Sequence, residues 1–248
     1  MLDPATENRL CTTLVASAGG FLRNTVRRPR STCAVCTTPV DDRYSFCFAC
    51  KQHRLHDGTA DIVAPVIYAV PQHQSGYVMR GYKARPPVGA HLRLVTALTL
   101  FTLSRHGACA GRLVELPPTH WASVPSLPAK PGQHPLHRIV SGSAPGAEVR
   151  LTAASRTSNA RGVDATHFET TTRLSPESHV LLLDDTWTSG GHAQSAAVSL
   201  RAAGASRVST LVVARWIKPG FADNATFLAG LPDFDPNICP WTGGPCPR

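Results

Sequence analysis

The sequence predicts an α/β fold in which a parallel sheet is flanked by helices. Residues 180–183 form a continuous apolar run, which is typical of a strand buried on both faces of a parallel sheet. A helical pattern over residues 195–203 follows and stops at Gly204, and a second strand-like run covers residues 207–216. Because strand, helix and strand succeed one another in this order, we expect a doubly wound parallel sheet.

The rest of the chain contains two more candidate helices, three candidate strands and one long loop. These are helices over residues 8–24 and 88–107, strands over residues 62–70 and near Leu113 and His120, and a loop over residues 117–146. Pro65 interrupts the first of these strands, which predicts a position at the edge of the sheet. Prolines and glycines are dense in the loop, so we expect it to be functional rather than packed.

The chain of 248 residues is long enough for one sizeable core and a small appendage. We expect an N-terminal helical segment (1–30), a small cysteine-rich unit (31–56), an α/β domain (57–220) and a Pro/Gly-rich tail (221–248). No apolar run approaches the roughly 18 residues of a membrane helix, so we expect no membrane insertion. Asp3 and Glu7 stand where a secretory signal is positively charged, which favours a cytoplasmic protein.

Four cysteines near the N-terminus form two CxxC pairs. Cys33 and Cys36 are separated by ten residues from Cys47 and Cys50. Four thiolates with this spacing can close a tetrahedral zinc site as a small knuckle, and a shell of four cysteines indicates a structural role for Zn2+. Two disulfides are the alternative, and they belong to oxidising compartments.

An acidic pair follows the apolar run of residues 180–183. Asp184 and Asp185 would lie at the carboxyl edge of the sheet, where two carboxylates are costly unless a ligand uses them. The loop and helix start behind them comprise Thr186, Trp187, Thr188, Ser189, Gly190, Gly191 and His192. A helix N-terminus suits a phosphate, and ionised carboxylates accept hydrogen bonds from adjacent hydroxyls, so the pattern indicates a ribose 5-phosphate. The alternative is that the two acids only end a strand.

Residues 180–192 resemble the signature of type I phosphoribosyltransferases, in which an apolar strand, two acids and a Thr/Ser/Gly loop bind 5-phosphoribosyl 1-pyrophosphate (PRPP). With the cysteine pairs before it, the chain is similar to the competence protein ComF family over about residues 33–216. The resemblance implies that Mg2+-bound PRPP loses pyrophosphate to an unidentified acceptor, with inversion at the anomeric carbon. It implies that Asp184 and Asp185 bind the 2- and 3-hydroxyls and stabilise the oxocarbenium charge, while residues 186–192 bind the 5-phosphate.

The resemblance also implies a site for the pyrophosphate group. Tyr82 and Lys83 are similar to a short family element, and residues 121–126 are similar to the strand and Val-Pro loop of the family. The later basic stretch, residues 150–168, resembles a mobile region that closes over the substrate. The implied pyrophosphate-binding residues are Val124, Pro125, Ser126, Lys83 and Arg161.

The formal net charge of +9 and the pI near 9.5 allow two kinds of anionic ligand. A phosphorylated small molecule explains a local cluster of arginines, and nucleic acid explains an overall excess such as the basic step of Arg27, Arg28 and Arg30. A solvated basic surface is the third interpretation. The alternative function is therefore a non-catalytic protein that binds PRPP or single-stranded DNA during DNA uptake.

The other cysteines carry weaker signals. Cys239 and Cys246 flank a turn-rich segment, and as a metal-binding pair they would lack two ligands. Cys11 and Cys109 lie among apolar residues, so we expect both to be core residues.

Overall fold

The computed structural model describes residues 2–154 and 162–248, and these form a mixed α/β fold. The strands are β1 (Ile62–Ala69), β2 (His120–Ser123), β3 (Ala147–Glu148), β4 (Thr152–Ala153), β5 (Phe168–Glu169), β6 (His179–Trp187) and β7 (Arg207–Trp216). The helices are α1 (Pro4–Ala18), α2 (Phe48–His53), α3 (Gln74–Gly81), α4 (Gly89–His106), α5 (Cys109–Leu113), α6 (Pro135–Val140), α7 (Gly191–Ala202) and α8 (Asn224–Ala229). Five strands form a parallel sheet in the order β1-β7-β6-β2-β3, and β4 pairs separately with β5.

The sheet is centred on β7 and β6, whose side chains are almost all buried. Burial on both faces explains why the runs that predicted these strands are apolar without alternation. The strand predicted over residues 207–216 matches β7, whereas β6 extends past its apolar run to Trp187. Pro65 lies in β1, and β1 is an edge strand of the sheet, as its proline predicts.

Apolar side chains pack on both faces of the sheet. On one face, Leu181 and Leu183 of β6 belong to a cluster with Phe101 of α4, together with residues of α1, α3 and α6. On the other face, Leu182 of β6 belongs to a cluster with Leu200 of α7 and with cysteines of the N-terminal segment. Each fully buried leucine contributes about 1.5–3 kcal/mol to folding. Helices and loops thus cover both faces and leave the carboxyl edge of the strands for a site.

The C-terminal tail packs on the same face as α1 and α4. The side-chain amide of Asn24 donates to the carbonyl of Asp235 at 2.9 Å, and the N–H of Asp235 donates back to the Asn24 side chain at 2.8 Å. Further along the tail, Trp241 is buried, and its Nε1 donates to the carbonyl of His106 at 2.9 Å. The tail therefore shares a core with the α/β sheet.

Two expectations for the middle of the chain are wrong. Leu113 lies in α5 and not in a strand, because Cys109 and Ala110 start a short helix with a buried face soon after α4 ends. The stretch over residues 117–146 is not only a loop, since it contains β2 and α6. Pro135 starts α6, and a proline is tolerated in the first turn of a helix because no intrahelical hydrogen bond is lost there.

Within the described ranges, no helix combines the length and the apolar character needed to cross a membrane.

Candidate functional site

The acidic pair lies in the last part of β6, at the carboxyl edge of the sheet. Asp184 is paired in register with Val212 of β7, and the N–H of Val124, just after β2, donates to the carbonyl of Leu183 at 2.9 Å. Parallel strands thus bring the acids next to the segment that follows β2. Asp185 is 6 % exposed, which is rare for a carboxyl group unless it has polar partners.

Three side chains surround the Asp185 carboxyl group. The hydroxyl of Tyr82 donates to Oδ2 of Asp185, and the Nζ of Lys83 lies 2.8 Å from the same oxygen. Nε2 of His134, which precedes α6, lies 3.5 Å from it. One oxygen of Asp185 therefore accepts hydrogen bonds from a phenol and an ammonium group, and an imidazole lies beside it. These contacts offset the free-energy cost of burying the carboxylate charge.

The protonation of His134 follows from its two neighbours. Its Nδ1 accepts a hydrogen bond from the N–H of Leu136 at 3.2 Å, so Nδ1 carries no proton. In the neutral ring the proton is then on Nε2, the nitrogen that faces Asp185. Burial lowers the pKa of His134 more than the charge of Asp185 raises it, so the neutral ring is favoured. His134 thus places a neutral N–H beside the carboxylate.

The two carboxyl groups have different pKa values. Burial, and then the negative charge of Asp185, raise the pKa of Asp184 to about 7. Burial also raises the pKa of Asp185. The opposing effects are larger, so the pKa of Asp185 lies below the usual value; they are the charge of Lys83, the nearby His134, and the hydrogen bonds from Lys83 and Tyr82. Near neutral pH, Asp185 is ionised while Asp184 exchanges a proton. Such a division between neighbouring acids is typical of functional sites.

A loop with a required glycine connects the acids to α7. Gly190 has φ +91°, and a Cβ at this position would lie 2.1 Å from atoms of the Trp187 indole ring. Trp187 is fully buried, so its ring cannot yield to a larger residue. Gly190 is the N-cap of α7, and the first N–H groups of a helix have no intrahelical acceptor and carry the positive end of its dipole. This terminus therefore suits an anion.

The other predicted loop residues lie around this helix start. Thr188 is exposed, and Ser189 is half-buried with its Oγ 3.5 Å from the N–H of Gly191. The ring of His192, in the first turn of α7, lies 6.0 Å from the ring of His167. Lys83 Nζ lies 3.5 Å from the Thr186 hydroxyl. The predicted acidic and loop residues are thus neighbours, with the cation of Lys83 beside them.

Arg215 of β7 holds the loop from behind. Its Nη1 donates to the carbonyls of Trp187 at 2.8 Å and Thr188 at 2.7 Å. Arg215 is 7 % exposed, so its guanidinium is largely removed from water and these carbonyls are its hydrogen-bond partners. With the carbonyls drawn toward β7, the loop has a fixed conformation. The signal in the sequence is an arginine near the end of a mostly apolar strand, and this signal did not identify the contact.

An open pocket of about 1140 Å³ lies beside the acidic pair. Its wall carries positive charge from the following residues: Lys83, Arg85, Lys130 and Arg138. Ser126 also lines it, while Val124 is buried and Pro125 lines a neighbouring pocket. Arg161, the remaining predicted pyrophosphate residue, lies outside the described residues. The pocket suits an anionic group next to Asp185.

The four N-terminal cysteines converge on one point. The sulfur atoms of Cys33, Cys36, Cys47 and Cys50 all lie within 4.8 Å of one another, and those of Cys36 and Cys47 are 3.7 Å apart. All four are free thiols and not disulfides. A tetrahedral shell with Zn–S distances near 2.3 Å separates sulfur atoms by about 3.8 Å. The cluster could therefore hold a metal ion such as zinc.

A second group of possible metal ligands was not recognised in the sequence. Cys239 and Cys246 meet His106 and Cys109, and the ligand atoms of these four residues also lie within 4.8 Å of one another. His106 and Cys109 are more than a hundred residues away from the tail cysteines, so spacing alone could not connect the two pairs.

No family model, curated protein or solved structure matches the chain.

Proposed function

We propose that this chain is a phosphoribosyltransferase of the ComF type, with a sheet like that of type I phosphoribosyltransferases. It uses Mg2+-bound PRPP as the donor of ribose 5-phosphate to an unidentified acceptor. The observation that carries the proposal is the pair Asp184 and Asp185, which ends a central parallel strand directly before a glycine-capped helix N-terminus. This edge is the usual ligand position in open parallel sheets.

The acids suit the ribose ring. Asp185 is ionised and can accept hydrogen bonds from hydroxyls, whereas Asp184 has a pKa of about 7 and can either donate or accept. When pyrophosphate leaves, positive charge develops on the ribose ring, and nearby carboxylates stabilise that charge. Lys83 holds Asp185 in position and so would keep the carboxylate aligned in the absence of ligand.

The helix start suits the 5-phosphate. A phosphate would accept hydrogen bonds from the first N–H groups of α7 and from the hydroxyls of Thr188 and Ser189. Arg215 supports this loop through the carbonyls of Trp187 and Thr188, so little ordering is needed when the ligand binds.

The basic pocket suits the pyrophosphate group. Lys83, which contacts Asp185, lines it together with Ser126, and Arg85, Lys130 and Arg138 add positive charge around it. These cations would lower the energy of the departing pyrophosphate, together with the Mg2+ that the substrate brings. The acceptor would attack the anomeric carbon from the opposite face of the ring.

A non-catalytic role in binding PRPP or single-stranded DNA is the second candidate. The observation in its favour is that Arg28 and Arg30 are exposed on a chain with net charge +9. Cations on a surface bind the phosphates of nucleic acid without needing the acidic pair.

Calorimetry with Mg2+ and PRPP tests the proposal. We expect saturable binding that weakens about ten- to hundredfold in Asp184→Asn and again in Asp185→Asn. Asp185→Asn removes a charged acceptor of hydrogen bonds, and Asp184→Asn removes a carboxyl group that becomes a charged acceptor when it loses its proton. Asp57→Asn is the control, since this exposed carboxyl group lies outside the site. Pyrophosphate release with candidate acceptors then separates an enzyme from a binding protein. Unchanged PRPP affinity in the doubly substituted protein would show that the two acids do not bind ribose.

A further inference from the structure

We infer that His106, Cys109, Cys239 and Cys246 form a second zinc site, which joins the C-terminal tail to the end of α4. The ligand atoms of the four residues lie within 4.8 Å of one another, and His106 Nδ1 is 3.3 Å from the Cys246 sulfur. A tetrahedral zinc ion with Zn–S near 2.3 Å and Zn–N near 2.0 Å separates its ligand atoms by about 3.5–3.8 Å. Small side-chain movements would complete that geometry.

The two halves of the cluster come from different parts of the chain. His106 is the last residue of α4 and Cys109 is the first residue of α5, so a helix break brings both side chains to one side. The tail supplies Cys239 and Cys246 from a tight turn. The N–H of Cys239 donates to the carbonyl of Gly244 and the N–H of Gly243 donates to the carbonyl of Cys239, both at 2.8 Å. This turn brings the two sulfur atoms together.

The orientation of the His106 ring is that of a metal ligand. Its Nε2 lies 3.0 Å from the carbonyl oxygen of Pro236, and a carbonyl can only accept. The ring proton is therefore on Nε2, and Nδ1 presents its lone pair to the cysteine sulfur atoms. Zinc-bound histidines almost always donate a hydrogen bond from the N–H of their second ring nitrogen to a carbonyl or carboxylate, and this bond fixes the tautomer. A histidine that only filled the core would not need this orientation toward three sulfur atoms.

Most of the cluster is closed to solvent, and Cys246 is half-buried. Three of its residues are buried, with exposed fractions of 1 % for His106, 4 % for Cys109 and 0 % for Cys239. Trp241 is buried in the same core cluster as Cys109 and Cys239, and it donates to the carbonyl of His106. Three thiolates around Zn2+ leave a net negative charge, and the Arg112 cation is close by, since its guanidinium donates to the carbonyl of Pro247 at 2.7 Å. Four protein ligands leave no open position, so the zinc is structural.

The same cluster is connected to the N-terminal cysteines through one side chain. Arg27 donates from Nε to the carbonyl of Pro240, next to Cys239, at 3.2 Å. Its Nη1 donates to the carbonyl of Ala34, next to Cys33, at 3.2 Å. Arg27 therefore links the two cysteine groups, which pack on opposite faces of the sheet, and this link would help to hold the tail against the domain.

Native mass spectrometry of the anaerobically purified chain tests the second site. We expect two zinc ions per chain in the parent. One zinc should remain in a Cys239→Ser/Cys246→Ser variant, and one should remain in a Cys33→Ser/Cys36→Ser variant. Cys11→Ser is the matched control and should keep two, since Cys11 belongs to neither cluster. A parent chain with one zinc, still present in the Cys239→Ser/Cys246→Ser variant, would overturn the inference.

A measurement on the unaltered chain avoids dependence on the folding of variants. Cobalt(II) replaces zinc in tetrahedral sites, and its visible ligand-field bands differ between a site of four sulfurs and one of three sulfurs and a nitrogen. We expect two cobalt ions per chain and the sum of both spectra. A single spectrum of the four-sulfur type, or a disulfide between any two of Cys109, Cys239 and Cys246 after anaerobic purification, would contradict the second site.

Discussion

The Nζ of Lys83 lies 2.8 Å from Oδ2 of Asp185, although the two residues belong to distant parts of the chain. The contact joins the end of α3 to the carboxyl edge of β6, and it keeps Asp185 ionised while its neighbour Asp184 remains close to protonation. A pair of acids with different charges can recognise two hydroxyls of one ligand in different ways. The behaviour of this pair provides the first test.

Stability should depend on pH through Asp184. The pKa of Asp184 in the folded chain is about 7, above the ordinary value of 3.8, so folding favours its neutral form. Its contribution to stability is complete below about pH 4 and is lost as the pH rises to about 7. Asp184→Asn keeps a neutral side chain at all pH values. Relative to the parent, this variant should therefore gain roughly 1–3 kcal/mol between about pH 4 and about pH 8 in urea unfolding. An equal difference at both pH values would contradict the raised pKa.

Arg27 should be important for stability, whereas its neighbour Arg28 should not. Arg27 donates to the carbonyls of Pro240, Ala34 and Val63, and so connects three segments of the chain. Arg27→Ala removes the one donor that these three carbonyls share, and two of the carbonyls are partly buried, so we expect a loss of about 1–3 kcal/mol in urea unfolding. Arg28 is exposed, so Arg28→Ala should stay within about 0.5 kcal/mol of the parent. Equal stability of the two variants would show that the Arg27 contacts contribute little.

The N-terminal cysteine segment should depend on metal for its order. Small metal-binding units have little core of their own, so their folding free energy comes from the metal. In Cys33→Ser/Cys36→Ser, amide hydrogens over residues 33–50 should exchange much faster. The N–H of Lys51, which donates to the carbonyl of Cys47 at 2.9 Å, should also lose protection. The N–H groups of β7 should keep their protection. Unchanged exchange over residues 33–50 would mean that the segment folds without metal.

Local patterns predicted the sheet better than the site. The strand over residues 207–216 was recognisable because a strand buried on both faces is mostly apolar. The edge position of β1 was recognisable because Pro65 has no N–H to donate to a neighbouring strand. Asp184 and Asp185 were recognisable because two acids after an apolar run are unusual. These features depend only on neighbours in the chain.

Contacts between distant segments were not recognisable. His134 approaches Asp185 only because the tertiary fold brings the residue before α6 to the end of β6, and nothing in the local sequence of His134 marks this position. Arg215 binds the loop carbonyls only because β7 pairs with β6 in a fixed register. Cys109 was expected to be a core residue, and its partners in the tail are supplied by the tertiary fold.

The loop before α7 should tolerate no side chain at Gly190. In Gly190→Ala the new Cβ would meet the buried Trp187 ring and would require an unfavourable positive φ. We expect a loss of about 1–3 kcal/mol in stability and weaker PRPP binding by calorimetry, because the phosphate-binding N–H groups would shift. Gly220→Ala is the control, since a Cβ there would have nothing within 4 Å. If Gly190→Ala bound PRPP like the parent, the helix start would not be the phosphate site.

Salt dependence should separate the small-molecule ligand from DNA. A protein that neutralises several phosphates of single-stranded DNA releases counterions, so log affinity falls with log salt by roughly 0.7 per contact. PRPP bound by one loop and two acids should lose affinity only slightly over the same range. The deciding variant is Arg28→Glu with Arg30→Glu, because both side chains are exposed and, unlike Arg27, do not connect segments of the fold. We expect this variant to keep PRPP affinity, measured by calorimetry at two salt concentrations. The opposite outcome has two parts: the parent binds DNA tightly with a strong salt dependence that this variant abolishes, and Gly190→Ala leaves PRPP binding intact. That outcome would show that the non-catalytic function is correct and that the transferase proposal is wrong.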